Sequence, residues 1–393
     1  MCCSNGKILT MKKKSELQVN EIRNRIQKEA LLSVENNTTT KGSLLAMATG
    51  SGKSKIPILY AQKKKHKVKK IALIVPTERL RDEDWHDEFI KWGAEEIWSN
   101  VTRLCYASAH KIKKEEFDLV ILDECHNITL LSAEFLAHNT IKKIIALTAT
   151  PPEDFEKQVI LTKAGISLTY HLTLDDAIKL GFVAPYTIEI VYTKLDERNK
   201  NVVAGSKDKP FYQTEFANYN WLNNTIIEMD YSGLSHTSRY KNMLLKRMRA
   251  IYNLRSKSDV AHKYILRERM EDNRVLVFCG SIEQAEYLSP NYYHSKSGKG
   301  SLELFIDKKV DVLSCVKALN EGSNLPEIDT AIIVQLNSKE KDLIQRIGRL
   351  IRYRPGHVAK IIIIVAKDTQ DEVWLASAIK GLDRTKIKFT YAN

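Results

Sequence analysis

Short, almost wholly apolar runs recur along this chain, set apart by longer polar stretches with helical spacing. Leu44, Leu45 and Met47 form the first run; Ile71–Thr77 (IALIVPT), Val101–Tyr106, Phe117–Leu122 (FDLVIL) and Ile141–Leu147 follow. Runs of this length, rich in β-branched residues, predict strands buried on both faces, as in a parallel sheet covered by helices. The stretches between them read as helices. Leu17, Ile22, Ile26 and Ala30 share a stripe across Glu16–Glu35, after a loose start up to about Met11. Leu80, Trp85, Phe89 and Trp92 make another core stripe. Thr173–Gly181 predicts a helix that Gly181-Phe182-Val183-Ala184-Pro185 ends, and Ile188, Ile190 and Tyr192 alternate along a strand, Thr187–Thr193. A second series of apolar runs then appears at Arg274–Cys279, Val310–Ser314, Thr330–Val334 and Ile361–Val365. The fold class is therefore α/β, with two tandem parallel-sheet domains. They cover residues 1–183 and 184–393, and the second carries a helical insertion at 196–272.

Composition adds a partner. Lys plus Arg total 61 against 48 Asp plus Glu, a net charge of +13. That excess favours a polyanion, above all nucleic acid, although a generally basic protein shows the same total. Six cysteines include no C-x-x-C pair and several sit inside apolar runs. They read as reduced thiols of a cytoplasmic protein, not as disulfides or zinc ligands. No apolar run approaches the ~18 residues of a membrane span, so no membrane contact is expected. Two cationic stretches stay open in meaning. Lys63–Lys70 reads as a solvated loop or a nucleic-acid contact. Lys241, Lys246, Arg247, Arg249, Arg255 and Lys257 read as phosphate ligands, or as the wet face of helices whose other side is Leu244, Leu245, Met248, Ile251 and Leu254.

The chemistry starts at Leu44–Tyr60, LLAMATGSGKSKIPILY, where a strand meets a Gly/Ser turn and then an amphipathic run. Gly50 and Gly52 let backbone N–H groups curl around an anion, and the following helix start directs its dipole toward a phosphate. Lys53 is placed to reach β- and γ-phosphates, and the Ser54 hydroxyl to ligate Mg²⁺. Met47 stands where the P-loop pattern has its first glycine, and a turn that merely caps a helix is the plain alternative. The FDLVIL strand runs directly into Asp123-Glu124-Cys125-His126. There Asp123 suits Mg²⁺, and Glu124 suits orienting and deprotonating a water. Farther on, Arg349 and Arg352 lie three apart in a helix-like stretch, so both guanidinia share a face fit for a triphosphate. Polar groups after successive buried strands mark the ligand edge of an open α/β sheet.

Taken in order, these motifs resemble those of the superfamily 2 nucleic-acid helicases. ATGSGKS is similar to motif I, IVPT to Ia, DECH to II, TATPP to III, VLVFCGS to IV, LNEGSNLP to V and QRIGRLIR to VI, spanning most of residues 44–356. PTERLRDEDWHDEF, AIKLGFVAPYTIEIV and LNEGSNLPEID resemble the branch of repair, recombination and restriction motors. Among short chains they look most like phage recombination helicases of the UvsW type.

The resemblance implies two RecA-like domains with ATP and Mg²⁺ between them. It implies cofactor contacts from Gln27 (to adenine), Thr49, Gly50, Ser51, Gly52, Lys53, Ser54, Gly322 and Asn324, and Mg²⁺ contacts from Ser54 and Asp123. Many relatives have Asp where this chain has Asn324. Catalytic roles fall to Lys53, Asp123, Glu124, Gln345, Arg349 and Arg352, the arginines as fingers in cis. His126, Thr148 and Thr150 would couple that site to nucleic acid, touched by Pro76, Thr77, Ser281 and the loop Cys105–Ser108, including Ser108. The implied protein is a cytoplasmic, monomeric DNA helicase or translocase acting on single-stranded or branched DNA in replication, recombination or repair. The rivals are an ATP-gated clamp without processive unwinding, an RNA helicase and the motor partner of a restriction system.

Overall fold

The structure, a computed structural model, describes residues 4–152, 154–181, 185–206, 208–294, 296–298, 300–316, 328–336, 358–380 and 382–392, with backbone alone for 4–18 and 206. Two compact units divide between Pro185 and Tyr186.

In the first unit the apolar runs form β1 (Gly42–Met47), β2 (Ile71–Val75), β3 (Val101–Cys105), β4 (Glu116–Leu122) and β5 (Thr140–Thr148). A further strand, β6 (Ile166–Leu172), has only its first and last residues buried, which is why no apolar run announces it. The six lie side by side in the order β3-β2-β4-β5-β1-β6, all parallel. Every residue of β1 and β2 is buried, as expected of strands covered on both faces. Leu44, Ile74, Val120, Leu122, Phe135 and Ile144 belong to one core cluster. Close approach of β1 to β6 needs Gly42, because a Cβ there would lie 2.5 Å from the Ile166 side chain. The N-terminal helix runs Ser4–Asn36, beginning well before the expected Glu16 and taking in most of the stretch up to Met11 that reads as loose. Lys, Leu and Met are good helix formers and no proline interrupts them.

The second unit contains β7 (Tyr186–Thr193), β8 (Val202–Ser206), β9 (Lys209–Gln213), β10 (Val275–Cys279), β11 (Tyr292–His294), β12 (Val312–Val316), β13 (Thr330–Ile333), β14 (Ala359–Ala366) and β15 (Ile387–Tyr391). Seven form a parallel sheet in the order β11-β12-β10-β13-β14-β7-β15, while β8 and β9 make a separate antiparallel hairpin. The stretch 196–272 is therefore not wholly helical. It holds this hairpin and the helices Glu215–Tyr231, Ser238–Tyr252 and Arg255–Met270. Val260, Ala261 and Ile265 of the third helix pack with Val275, Val277, Ile332 and Ile362 of the sheet, so that helix is part of the sheet's cover. It also buries Lys257 completely, its Nζ 2.6 Å from an equally buried Asp371 carboxylate. Among the described residues no helix is long and apolar enough to cross a membrane.

Candidate active site

Three adjacent strands of the first sheet, β4, β5 and β1, deliver the polar motifs to one edge. Their registers pair Leu122 with Ala146 and Ala46 with Thr148. DECH, TATPP and the P-loop therefore leave the sheet at neighbouring carboxyl ends. At the P-loop, Gly50 and Gly52 have φ of +85° and +76°, values that an L side chain rarely adopts. Ser54 starts the helix Lys55–Lys63 without using its hydroxyl as a cap, which leaves that oxygen for another ligand. Gln27 reaches over from the N-terminal helix, 2% exposed, and its Nε2 donates to the Ser51 carbonyl at 3.0 Å. Its Oε1 is buried and accepts no hydrogen bond. A Cβ on Gly52 would lie 2.3 Å from Gln27 Nε2, so a side chain there would displace the Gln27 amide as well as strain the backbone.

Lys53 Nζ donates to Glu124 Oε1 at 2.9 Å, bridging the P-loop and the end of β4. Burial pulls the Lys53 pKa down, but the charges of Glu124 and Asp123 outweigh it and the net shift is upward. Asp123 is buried; it accepts from Trp85 Nε1 at 2.9 Å and from the Glu124 N–H at 2.9 Å. Burial, then the Glu124 charge, pushes the Asp123 carboxyl up to about 6. Two carboxylates thus share one ammonium, and this donor set is short of positive charge in the way a divalent cation relieves. Glu124 itself has φ +45°, a strained backbone of the kind stored at functional sites. Cys125 is buried and its thiol is pushed upward by that burial, which makes it inert.

The network continues through His126. Its Nδ1 lies 3.1 Å from Thr148 Oγ1 and 3.5 Å from Glu124 Oε2. Thr148 Oγ1 donates to the Thr150 carbonyl at 2.7 Å, so toward His126 it accepts, and Nδ1 carries the proton. Nε2 is then the acceptor for Asn127 Nδ2 at 3.3 Å. One chain of contacts thus joins Lys53, Glu124, His126, Thr148 and Thr150. Sequence reading missed Trp85 and Tyr106, whose hydroxyl donates to the Asp123 carbonyl at 2.9 Å. The signal for Trp85 was its type: a buried indole needs a partner for its N–H.

Comparison with known proteins gives the same order of parts. The profile of the type III restriction enzyme res subunit matches residues 19–153, and that of the helicase conserved C-terminal domain matches 256–354. The chain is 22% identical over 358 residues to the DNA 3'-5' translocase XPB2 of Sulfurisphaera tokodaii, covering 84% of this chain and 79% of that protein. It is 24% identical to the putative DNA 3'-5' helicase Rad25 of Halobacterium salinarum, over 81% of this chain and 51% of that one. It is 25% identical to a putative ATP-dependent RNA helicase of Methanocaldococcus jannaschii, over 69% and 45%. The chain thus spans about half the length of the last two. The Hef helicase domain of Pyrococcus furiosus shares the fold, with a TM-score of 0.51, 17% identity and coverage of 89% of this chain and 97% of that one. The chain belongs to the superfamily 2 helicases. As such it is an ATP-hydrolysing enzyme with two RecA-like domains.

In this helicase the residues expected to touch nucleic acid are placed at element starts. Thr77 is exposed after β2, and its Oγ1 accepts from the Leu80 N–H at 3.4 Å. Pro76 before it is half-buried. Ser108 Oγ donates to the Cys105 carbonyl at 3.2 Å, after β3. In the second unit, Ser281 caps the helix Ile282–Leu288, accepting from the Gln284 N–H at 3.2 Å. Gly322, Asn324, Gln345, Arg349 and Arg352 lie outside the described residues. The relatives that carry the assignment are named for DNA 3'-5' translocation and unwinding, and the likeness to the phage branch rests on the motifs alone.

Proposed function

We propose that the chain is an ATP-driven DNA helicase or translocase. The observation that carries this reading is the 2.9 Å contact of Lys53 with Glu124, which holds the general base against the phosphate-binding lysine at the sheet edge. The residues fit ATP and Mg²⁺. The unpartnered Gln27 Oε1 suits the amino group of adenine, the two left-handed glycines suit a phosphate cradle, and the carboxylate-rich edge suits a cation. Ser54 and Asp123 would hold Mg²⁺, which would supply neutralisation of phosphate charge.

In this reading Lys53 turns from Glu124 to the phosphates. Glu124, freed, orients a water and takes its proton. Thr49, Gly50, Ser51 and Gly52 supply the cradle. Gly322 and Asn324 add nucleotide contacts, and Gln345, Arg349 and Arg352 oppose the charge that develops on the transferred phosphate. His126, hydrogen-bonded to Thr148 and 3.5 Å from Glu124, passes the state of the reaction to Thr148 and Thr150. Pro76, Thr77, Ser108 and Ser281 hold the nucleic-acid backbone. DNA is favoured over RNA by the relatives named for DNA translocation and by the repair-like motifs.

The test is the steady-state ATPase rate with no nucleic acid, single-stranded DNA, branched DNA, duplex DNA and RNA, with Glu124→Gln as the blank. Stimulation by single-stranded or branched DNA is expected, and strand displacement then separates a motor from a clamp. Stimulation by RNA alone moves the protein to RNA remodelling, and a rate that no nucleic acid changes overturns the reading.

A further inference from the structure

The second unit contains a cleft of about 780 Å³, and none of its lining among the described residues belongs to a helicase motif. Its walls are the β8–β9 hairpin and the helices Glu215–Tyr231 and Ser238–Tyr252. Pairing of Ala204 with Phe211 and of Val202 with Gln213 puts these four on one face of the hairpin. Trp221 comes from the first helix, and Lys246 and Arg249, one turn apart, from the second. Phe211 is 54% exposed and Trp221 56%, large values for rings that line a concave surface. Gly205, at φ +91°, is tight against the hairpin. A Cβ there would lie 2.4 Å from the Lys209 carbonyl and 3.1 Å from the Phe211 ring, so the glycine lets that ring sit where it does.

The cations of this region divide into two kinds. Arg247 is committed to the fold, donating to Asn223 at 2.7 Å and to Gln370 at 3.0 Å. Arg255 pairs with Asp259 and lies over the Tyr287 ring, and Lys257 is buried against Asp371. Lys246 and Arg249 are exposed, and no ion pair among the described residues engages them. The one carboxylate of the cleft, Glu215, is buried and accepts the Asp196 and Ser256 backbone N–H groups at 3.0 and 3.1 Å. Two free cations beside two bare rings match a strand that offers phosphates and unpaired base faces together. A duplex hides its base faces, and an acidic peptide has none.

We propose that this cleft binds unpaired nucleotides of a single strand, with bases stacking on Phe211 and Trp221 and phosphates pairing with Lys246 and Arg249. The proposal rests on reading the chain as a nucleic-acid motor.

The test is the affinity of the full chain for labelled oligo-dT and oligo-U, read by fluorescence anisotropy across a salt series. Trp221→Ala should bind at least one of them roughly tenfold more weakly or worse, while Trp221→Phe, which keeps a stacking ring, stays close to the unsubstituted chain. Lys246→Ala and Arg249→Ala should each flatten the log–log salt slope by about 0.7. Binding by Trp221→Ala within twofold of the unsubstituted chain, or equal weakening in the Ala and Phe variants, overturns the cleft. A chain that binds no oligonucleotide and whose ATPase no nucleic acid stimulates overturns the motor reading, and the cleft with it. A chain that is stimulated normally but indifferent to Trp221→Ala overturns the cleft alone.

Discussion

The edge of the first sheet and the cleft of the second unit are both rich in polar side chains, and they treat them in opposite ways. At the edge, Lys53, Glu124, His126 and Thr148 are buried or nearly so and hold one another through contacts of 2.9, 3.5 and 3.1 Å. In the cleft, Lys246, Arg249, Phe211 and Trp221 face solvent. The difference fits the two tasks proposed for them. A reacting centre gains from groups fixed before the reaction, because preorganised charge has no reorganisation cost in the transition state. A grip on a strand that must move on gains from groups that are free until the strand arrives. The comparison breaks if the edge tolerates loss of its charges or if the cleft cations hold the fold together.

The largest effect belongs to the edge. Glu124→Gln keeps size and hydrogen-bonding capacity but cannot take a proton, so turnover should fall by roughly 10²–10⁴. Nucleotide binding should survive, because the cradle and Lys53 remain. Single-turnover hydrolysis beside equilibrium ATP binding reads both. A variant that keeps a tenth of the rate would show that Glu124 is not the base.

A committed cation of the second unit should matter next. Lys257→Met strands the Asp371 carboxylate in a fully buried place, and breaking such a pair costs about 3–5 kcal/mol. Thermal and urea unfolding should show the loss, and adding Asp371→Leu should recover much of it, because no charge is then left buried. Equal stability of the single and double variants would mean that water reaches Asp371.

How much of this was legible in the sequence differs between the two regions. At the edge, apolar runs ending in polar motifs sufficed, since a buried parallel strand has one ligand-facing end and the motif must follow it. The Gln27 assignment came from family resemblance, and no periodicity signals that a helix residue 25 positions away touches Gly52. Trp85 read as a core residue, which it is, but its bond to Asp123 spans 38 residues and leaves no local pattern. The cleft was half legible. Its basic residues stood out, yet phosphate ligand and solvated face look alike in sequence. The structure separates Arg247, Arg255 and Lys257, which have internal partners, from Lys246 and Arg249. The hairpin was missed because neither strand has a buried face to impose apolar alternation: Lys209, Phe211 and Tyr212 are all exposed.

Gln27 gives a smaller, sharper test of the edge. Turned the other way, its carbonyl oxygen would face the Ser51 and Gly52 carbonyls, so Nε2 belongs on that side and Oε1 is the free acceptor. Adenine offers a donor to such an acceptor, and guanine offers an oxygen. Gln27→Ala should weaken ATP binding about tenfold, the size of a hydrogen bond of roughly 1–1.5 kcal/mol, and narrow the preference for ATP over GTP. Competition between the two nucleotides measures it. An unchanged preference would remove Gln27 from the base site. Gly52→Ala should act through the same contact, since its methyl group displaces Gln27.

The smallest expected effect is the one that most sharpens the comparison. If Lys246 and Arg249 are held ready for a strand and contribute nothing to the fold, replacing either with alanine should leave stability within about 0.5 kcal/mol, as for surface positions without partners. Arg247, between them in sequence, ties one helix to Asn223 and to Gln370. Arg247→Ala should therefore lower stability by roughly 1–2 kcal/mol through two lost hydrogen bonds. Urea unfolding of the three single variants in one buffer, without nucleic acid, decides it. The ordering Arg247 well above Lys246 and Arg249 is required. Three equal losses would mean that the cleft cations brace the helices, and a surface that braces the fold is not one kept open for a passing strand.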